Sequence, residues 1–170
     1  MGRLQERKRI DILLASCADL PAALQPRLVI VGDGPALPGL QSLAEQIYPQ
    51  TEFAGAKHGS ELASYFAEAD LFALPGTGGL AVQEAMSYGL PVIVAQGDGT
   101  QDDLVRPANG WQIPPGDQAA FTSTLQEALL NIQRLRQMGQ ESYRIVAEEI
   151  NLEAMVETFI KALNTTRPKT

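Results

Sequence analysis

Two groups of residues in this 170-residue chain have the types and spacing to hold a phosphate. The first is Gly76-Thr77-Gly78-Gly79, which closes an apolar run and precedes a helical pattern. Glycines at such a junction let an anion approach the free N–H groups of the first helical turn, and the helix dipole adds attraction. Glu84 follows about a turn and a half later. A carboxylate repels phosphate, so its better partner there is a pair of neutral hydroxyls, such as a ribose diol. A turn that only packs, with Glu84 on a solvated face, explains the same residues equally well.

The second group is Gly2-Arg3-Leu4 with Lys8. A loop cation and a cation at a helix start can converge on a diphosphate and stabilise the charge that develops as it leaves. Cations near a helix N-terminus oppose its dipole, so their placement wants a reason. A solvated basic patch of Arg3, Arg7, Lys8 and Arg9 is the competing reading.

The remaining reactive residues carry less. Gly32-Asp33-Gly34-Pro35 departs from a dinucleotide fingerprint, because Leu37 stands at the third glycine and Pro35 lacks a donor. It reads as a tight strand-to-helix turn. His58, the one histidine, lies in a loop on the expected ligand side and is either a wall of a base pocket or an ordinary loop residue. With a single His and a single Cys, a His/Cys zinc site is excluded. Cys17 lies at helical spacing from Ile10, Leu13 and Leu14 and reads as a small core residue.

The elements that must position these groups alternate between helix and strand. Apolar runs at Leu28-Val31, Thr51-Gly55, Asp70-Pro75, Pro91-Ala95 and Trp111-Pro114 read as strands. Helices are expected from Ile10, over Leu37 to Gln46, from an N-cap at Ser60, and over Leu80 to Tyr88. A long one opens at Asp117 and carries Phe121, Leu125, Ala128, Leu129, Ile132 and Leu135 on one face; a last one is capped by Asn151. The order implies βαβ units in a doubly wound, Rossmann-like parallel sheet with helices on both faces. Ligands then bind at the carboxyl ends of the strands. Residues 1–163 read as one domain and 164–170 as a frayed tail. Gly2-Arg3-Leu4 resembles the loop after a strand, so an opening strand is expected to be truncated.

Composition excludes several partners. Lys+Arg is 13 and Asp+Glu is 20, for a net charge of −7. A chain this acidic has no face for a nucleic-acid backbone. Any phosphate must be held locally, by one or two cations and backbone amides. No apolar run approaches the ~18 residues of a membrane span, and the N-terminus has no signal-peptide core.

At this point the chain resembles the C-terminal, donor-binding domain of group 1 retaining glycosyltransferases of GT-B architecture. The resemblance rests on six motifs in order: Gly2-Arg3-Leu4 with Lys8; Gly32-Asp33-Gly34-Pro35; Phe53 with Gly55; Ala69 to Pro75; Glu84-Ala85-Met86 to Gly89-Leu90-Pro91-Val92; and Asn109-Gly110-Trp111 to Gly116-Asp117. It implies transfer of a sugar from a nucleotide-diphosphate sugar, with UDP or GDP as the nucleotide, and no metal. Arg3 and Lys8 would hold the diphosphate and Glu84 the ribose hydroxyls. The amides of Gly78, Gly79 and Leu80 would face the distal phosphate or sugar, and residues near Ala56 to His58 the base. The family carries a Glu eight residues before Glu84, against the donor sugar; here that position is Gly76. Arg9 stands where the family often has Gly. The resemblance also implies a missing N-terminal acceptor-binding domain, and an isolated fragment with little turnover. A cytoplasmic protein is expected, reaching the inner face of a membrane through the missing domain. Two other readings stay open: a catalytically impaired nucleotide-binding or regulatory module, and an NAD(P)-binding oxidoreductase domain.

Overall fold

A computed structural model describes residues 1–97 and 100–151 and positions 156 and 160. Strand β1 (Val29–Val31) pairs in parallel with β2 (Glu52–Gly55). Strand β3 (Phe72–Leu74) pairs in parallel with β4 (Val92–Ala95), and β4 with β5 (Gly110–Ile113). Each parallel step needs a helical crossover. These are α2 (Leu37–Ile47), α3 (Gly59–Glu68), α4 (Gly79–Ser87) and the short α5 (Thr100–Leu104), preceded by α1 (Ile10–Asp19) and followed by α6 (Gln118–Leu129) and α7 (Ile132–Arg144). Helix α1 packs against α2 and α6, and α4 packs against α5 and α7. This is the expected α/β layering, with helices on both sides of parallel strands.

The strands are short and apolar because both faces are covered. Val92, Ile93, Val94 and Ala95 are all buried, as are Phe72 and Leu74. Ile10, Leu13, Leu14 and Cys17 are buried along α1. Burial pushes the Cys17 thiol up to about 12, so it serves as a small core residue and not as a nucleophile.

Three expectations need correction. The long helix after Asp117 is two helices. Asp117 caps α6 by accepting from Ala120 N–H at 2.9 Å, and Asn131 caps α7 by accepting from Arg134 N–H at 3.0 Å. An Asn side chain that satisfies a free amide starts a new helix more readily than it continues an old one. Ile132 is accordingly exposed, while Leu135 is buried. Ser60 is not an N-cap: His58 holds that position with no side-chain cap bond, and Ser60 lies inside the first turn of α3. Helix α5 was not expected at all. The helix expected after Asn151 and the tail 164–170 fall outside the described residues, apart from the half-exposed Val156 and Ile160.

Residues 2–4 lie along the end of β1. Gly2 N–H donates to Val31 C=O at 2.9 Å and Leu4 N–H to Asp33 C=O at 2.8 Å. The approach is so close that a Cβ on Gly32 would lie 1.9 Å from Gly2 O, and one on Gly34 2.3 Å from Leu4 O. These glycines therefore admit the chain's own backbone, and no dinucleotide can use the same space.

A short 3₁₀ turn, Glu6–Lys8, leads to Arg9 at φ 50°, the left-handed region, where α1 begins. That conformation costs an L-residue about 1–2 kcal/mol and glycine almost nothing. Arg9 pairs with Asp11 at 2.9 Å, but both side chains are nearly half exposed, so the pair is worth little. Arg9→Gly and Arg9→Val lose that pair alike. Urea unfolding should find the glycine variant at least as stable as the parent and the valine variant about 2 kcal/mol below it.

Candidate functional site

A cavity of about 820 Å³ opens at the carboxyl ends of β1, β2 and β3. Its walls include Arg3 and Lys8 from the N-terminal segment, Asp33 from the loop after β1, and Ala56, Lys57 and His58 from the loop after β2. Thr77, Gly78, Gly79, Leu80 and Glu84 come from the β3–α4 junction and α4. The chain as a whole is acidic, yet Arg3, Arg7, Lys8 and Lys57 face this space against only Asp33 and Glu84.

Lys8 is the focus. It is 8% exposed, its Nζ donates to Met1 C=O at 3.1 Å, and it lies 3.5 Å from where a Cβ on Gly78 would stand. The ammonium is thus set against the start of α4, whose N-cap is Gly78 with no side-chain cap bond. The first amides of α4 are free to meet a ligand. Burial, and then the neighbouring Arg7, hold the Lys8 pKa below its ordinary value. An anion in the cavity would reverse that depression. Arg3 is exposed at the rim and has no ion-pair partner among the described residues. Glu84 is exposed and lines the cavity from further along α4.

Gly76 does not line the cavity. A Cβ there would lie 2.1 Å from Arg7 O and 2.5 Å from the Lys8 carbonyl carbon. Thr77 N–H donates to Arg7 C=O at 3.1 Å beside it. Position 76 is therefore where the Arg7–Lys8 backbone rests on the β3–α4 turn, and the absent side chain is what lets Lys8 reach Gly78.

Two polar wall residues, Lys57 and Gln101, were not singled out in the sequence. Lys57 was passed over between Ala56 and His58; it pairs with Glu61 at 3.6 Å. Gln101 is buried on α5 and donates from Nε2 to Gly76 C=O at 3.3 Å. The signal for α5 was Thr100 followed three residues later by Asp103, a weak capping pattern ahead of Leu104 and Val105.

Cations, free helix amides and a carboxylate set away from them suit a ligand with a diphosphate at one end and hydroxyls at another. Comparison with known proteins agrees with that chemistry. The family model for glycosyl transferases group 1 matches residues 1–145. The chain belongs to the group 1 glycosyltransferases.

A GDP-mannose-dependent alpha-mannosyltransferase of Mycobacterium tuberculosis is 36% identical over 140 residues, covering 81% of this chain and 34% of that protein. A sulfoquinovosyl transferase of Arabidopsis thaliana is 34% identical over 123 residues, covering 69% and 23%. This glycosyltransferase chain thus spans about a third or less of these curated relatives. Among solved structures, HepE from Anabaena in complex with UDP superposes with a TM-score of 0.82 at 20% identity, covering 96% of this chain and 48% of that one. Sucrose-phosphate synthase from Thermosynechococcus elongatus follows the same path with a TM-score of 0.78 at 25% identity, covering 97% and 45%. Both likenesses carry the Rossmann-like α/β fold. Among the described residues no helix is long and apolar enough to cross a membrane.

Proposed function

We propose that this chain is the donor-binding domain of a retaining glycosyltransferase and that its cavity takes a nucleotide-diphosphate sugar. The carrying observation is Lys8 Nζ set against Gly78 at the open start of α4, in one cavity with Arg3 and Glu84. Lys8, Arg3 and the amides of Gly79 and Leu80 hold the diphosphate. Glu84 accepts from the ribose hydroxyls, and the loop from Ala56 to His58 meets the base. As the sugar–phosphate bond breaks, its electron pair goes to the diphosphate oxygen, and the two cations stabilise the charge that gathers there. The acceptor, held by the N-terminal half, forms the new bond from its hydroxyl oxygen to the anomeric carbon and gives up its proton to the departing diphosphate, so catalysis by this chain is positioning and leaving-group stabilisation. The setting is the cytoplasm, with any membrane contact made through that half. GDP-mannose is the first donor to try, because the mannosyltransferase relative is named as dependent on it.

The catalytically impaired module remains the second reading. Gly76 favours it, since the family's carboxylate against the donor sugar has no equivalent there and no room. The oxidoreductase reading has no such support, because Gly32 and Gly34 are filled by residues 2–4.

Thermal-shift titration tests the proposal. A nucleotide at ten times its Kd adds about 1.4 kcal/mol of stability, so GDP or UDP should raise the melting temperature and NAD should not. A chain that ignores GDP, UDP, ADP and their sugars alike would sink the donor reading. Binding without sugar transfer by the full-length protein would favour the impaired module.

A further inference from the structure

Gln101 is 2% exposed, yet it lines the same cavity as Arg3, Lys8 and Glu84. Only half of its amide is used. Nε2 donates to Gly76 C=O at 3.3 Å. That bond fixes which way the amide points, because a carbonyl can only accept. Oε1 is left as the free end. It is buried and receives no hydrogen bond among the described residues. A buried amide oxygen without a donor is disfavoured, and each such atom wants an explanation.

The chemistry of the cavity narrows the donor. The diphosphate of a nucleotide sugar carries no O–H, so Oε1 has nothing to accept from it. A sugar hydroxyl is a donor of the right kind. Position narrows it further. Lys8 Nζ against Gly78 marks the diphosphate. The loop from Ala56 to His58 follows β2 in one ladder, whereas α5, which carries Gln101, follows β4 in the other. With the nucleoside at the β2 loop, the group beyond the diphosphate lies toward α5. Position 76 has no room for a side chain. A polar contact at this end must therefore come from a neighbouring element, and Gln101 rests on the Gly76 carbonyl.

We propose that Gln101 is a specificity-determining residue: its Oε1 accepts a hydrogen bond from a hydroxyl of the donor sugar while Nε2 stays on Gly76. This assignment rests on the donor reading and names the side chain that reads the sugar. A site built around a buried acceptor rejects a sugar that lacks the matching hydroxyl, because the acceptor is then left unpaired. Gly97 helps to hold the amide in place. A Cβ there would stand 2.5 Å from Oε1 and 3.3 Å from Cδ, so the bare glycine is what admits the oxygen.

Gln101→Met keeps the length of the side chain and removes both polar atoms. Calorimetric titration compares GDP with GDP-mannose and UDP with UDP-glucose. The variant should weaken binding of the sugar nucleotide roughly tenfold and leave the matching diphosphate unchanged. Gly97→Ala, which crowds Oε1 with Gln101 intact, should act in the same direction, and it carries the test should the methionine variant not fold. Singly deoxygenated analogues of the sugar then locate the hydroxyl. One of them should bind the parent about tenfold more weakly than the intact sugar nucleotide, and Gln101→Met no more weakly. A glutamine that only props the β3–α4 turn predicts no such coupling. Equal losses for diphosphate and sugar nucleotide would assign Gln101 that structural part and overturn the proposal. So would variants that lose neither, since the partner of Oε1 would then be water. A parent that binds none of the four ligands would end the donor reading and this assignment together. A parent that binds them while both variants are indifferent would end this assignment alone.

Discussion

Gly76→Glu, which restores the carboxylate usual in the family, should destabilise this protein by about 3 kcal/mol and abolish nucleotide binding. The new Cβ would meet the carbonyl oxygen of Arg7 and the backbone of Lys8 before any carboxylate reached the cavity. Relief requires the Glu6–Lys8 turn to lift from the β3–α4 junction, which removes the Thr77–Arg7 bond and withdraws Lys8 from Gly78. Because Cβ does the damage, Gly76→Ala should cost nearly as much. Urea unfolding of the two variants beside the parent measures this. A glutamate variant that folds with parental stability and binds a nucleotide sugar more tightly would show that the turn yields easily, and the steric argument would fail.

Lys8→Gln should do the opposite to the fold and the same to the ligand. Lys8 is nearly buried, and its charge is disfavoured there first by desolvation and then by Arg7. Removing that charge should leave stability unchanged or slightly higher. A charge-assisted contact to phosphate is worth about 1.5–3 kcal/mol, so affinity for GDP or UDP should fall by roughly 10- to 100-fold. Calorimetric titration with parallel melting curves separates the two effects. Arg3→Gln should show a smaller loss, since Arg3 is exposed and its interaction is screened. Undiminished nucleotide affinity in Lys8→Gln would remove Lys8 from the phosphate site.

What the sequence revealed followed from how local each signal was. The strands could be read because continuous apolar runs such as Val92 to Ala95 are local and unambiguous. Arg3, Lys8, Gly78 and Glu84, which the fold brings to one cavity, could be picked out because a glycine turn before a helix and a loop rich in cations are local patterns. The break at Asn131 was missed because the apolar spacing runs on across it: Leu129, Ile132 and Leu135 fit one helical face on paper, and only the cap bond to Arg134 divides them. The role of position 76 was hidden for a different reason. Its neighbours, Arg7 and Lys8, are distant in sequence, and no local pattern reports that two backbones touch. Gln101 was hidden because α5 is too short to show periodicity.

The cavity draws its walls from two separately bonded pieces of sheet. Asp33, Ala56 and His58 follow β1 and β2, whereas Gly78, Leu80 and Gln101 belong to the ladder of β3, β4 and β5. A molecule that fills the space touches both, and so acts as a cross-brace as well as a guest. Part of its binding free energy is then spent fixing one piece against the other. A ligand in that space should therefore raise the melting temperature of both pieces together, over the core that α1 already shares between them.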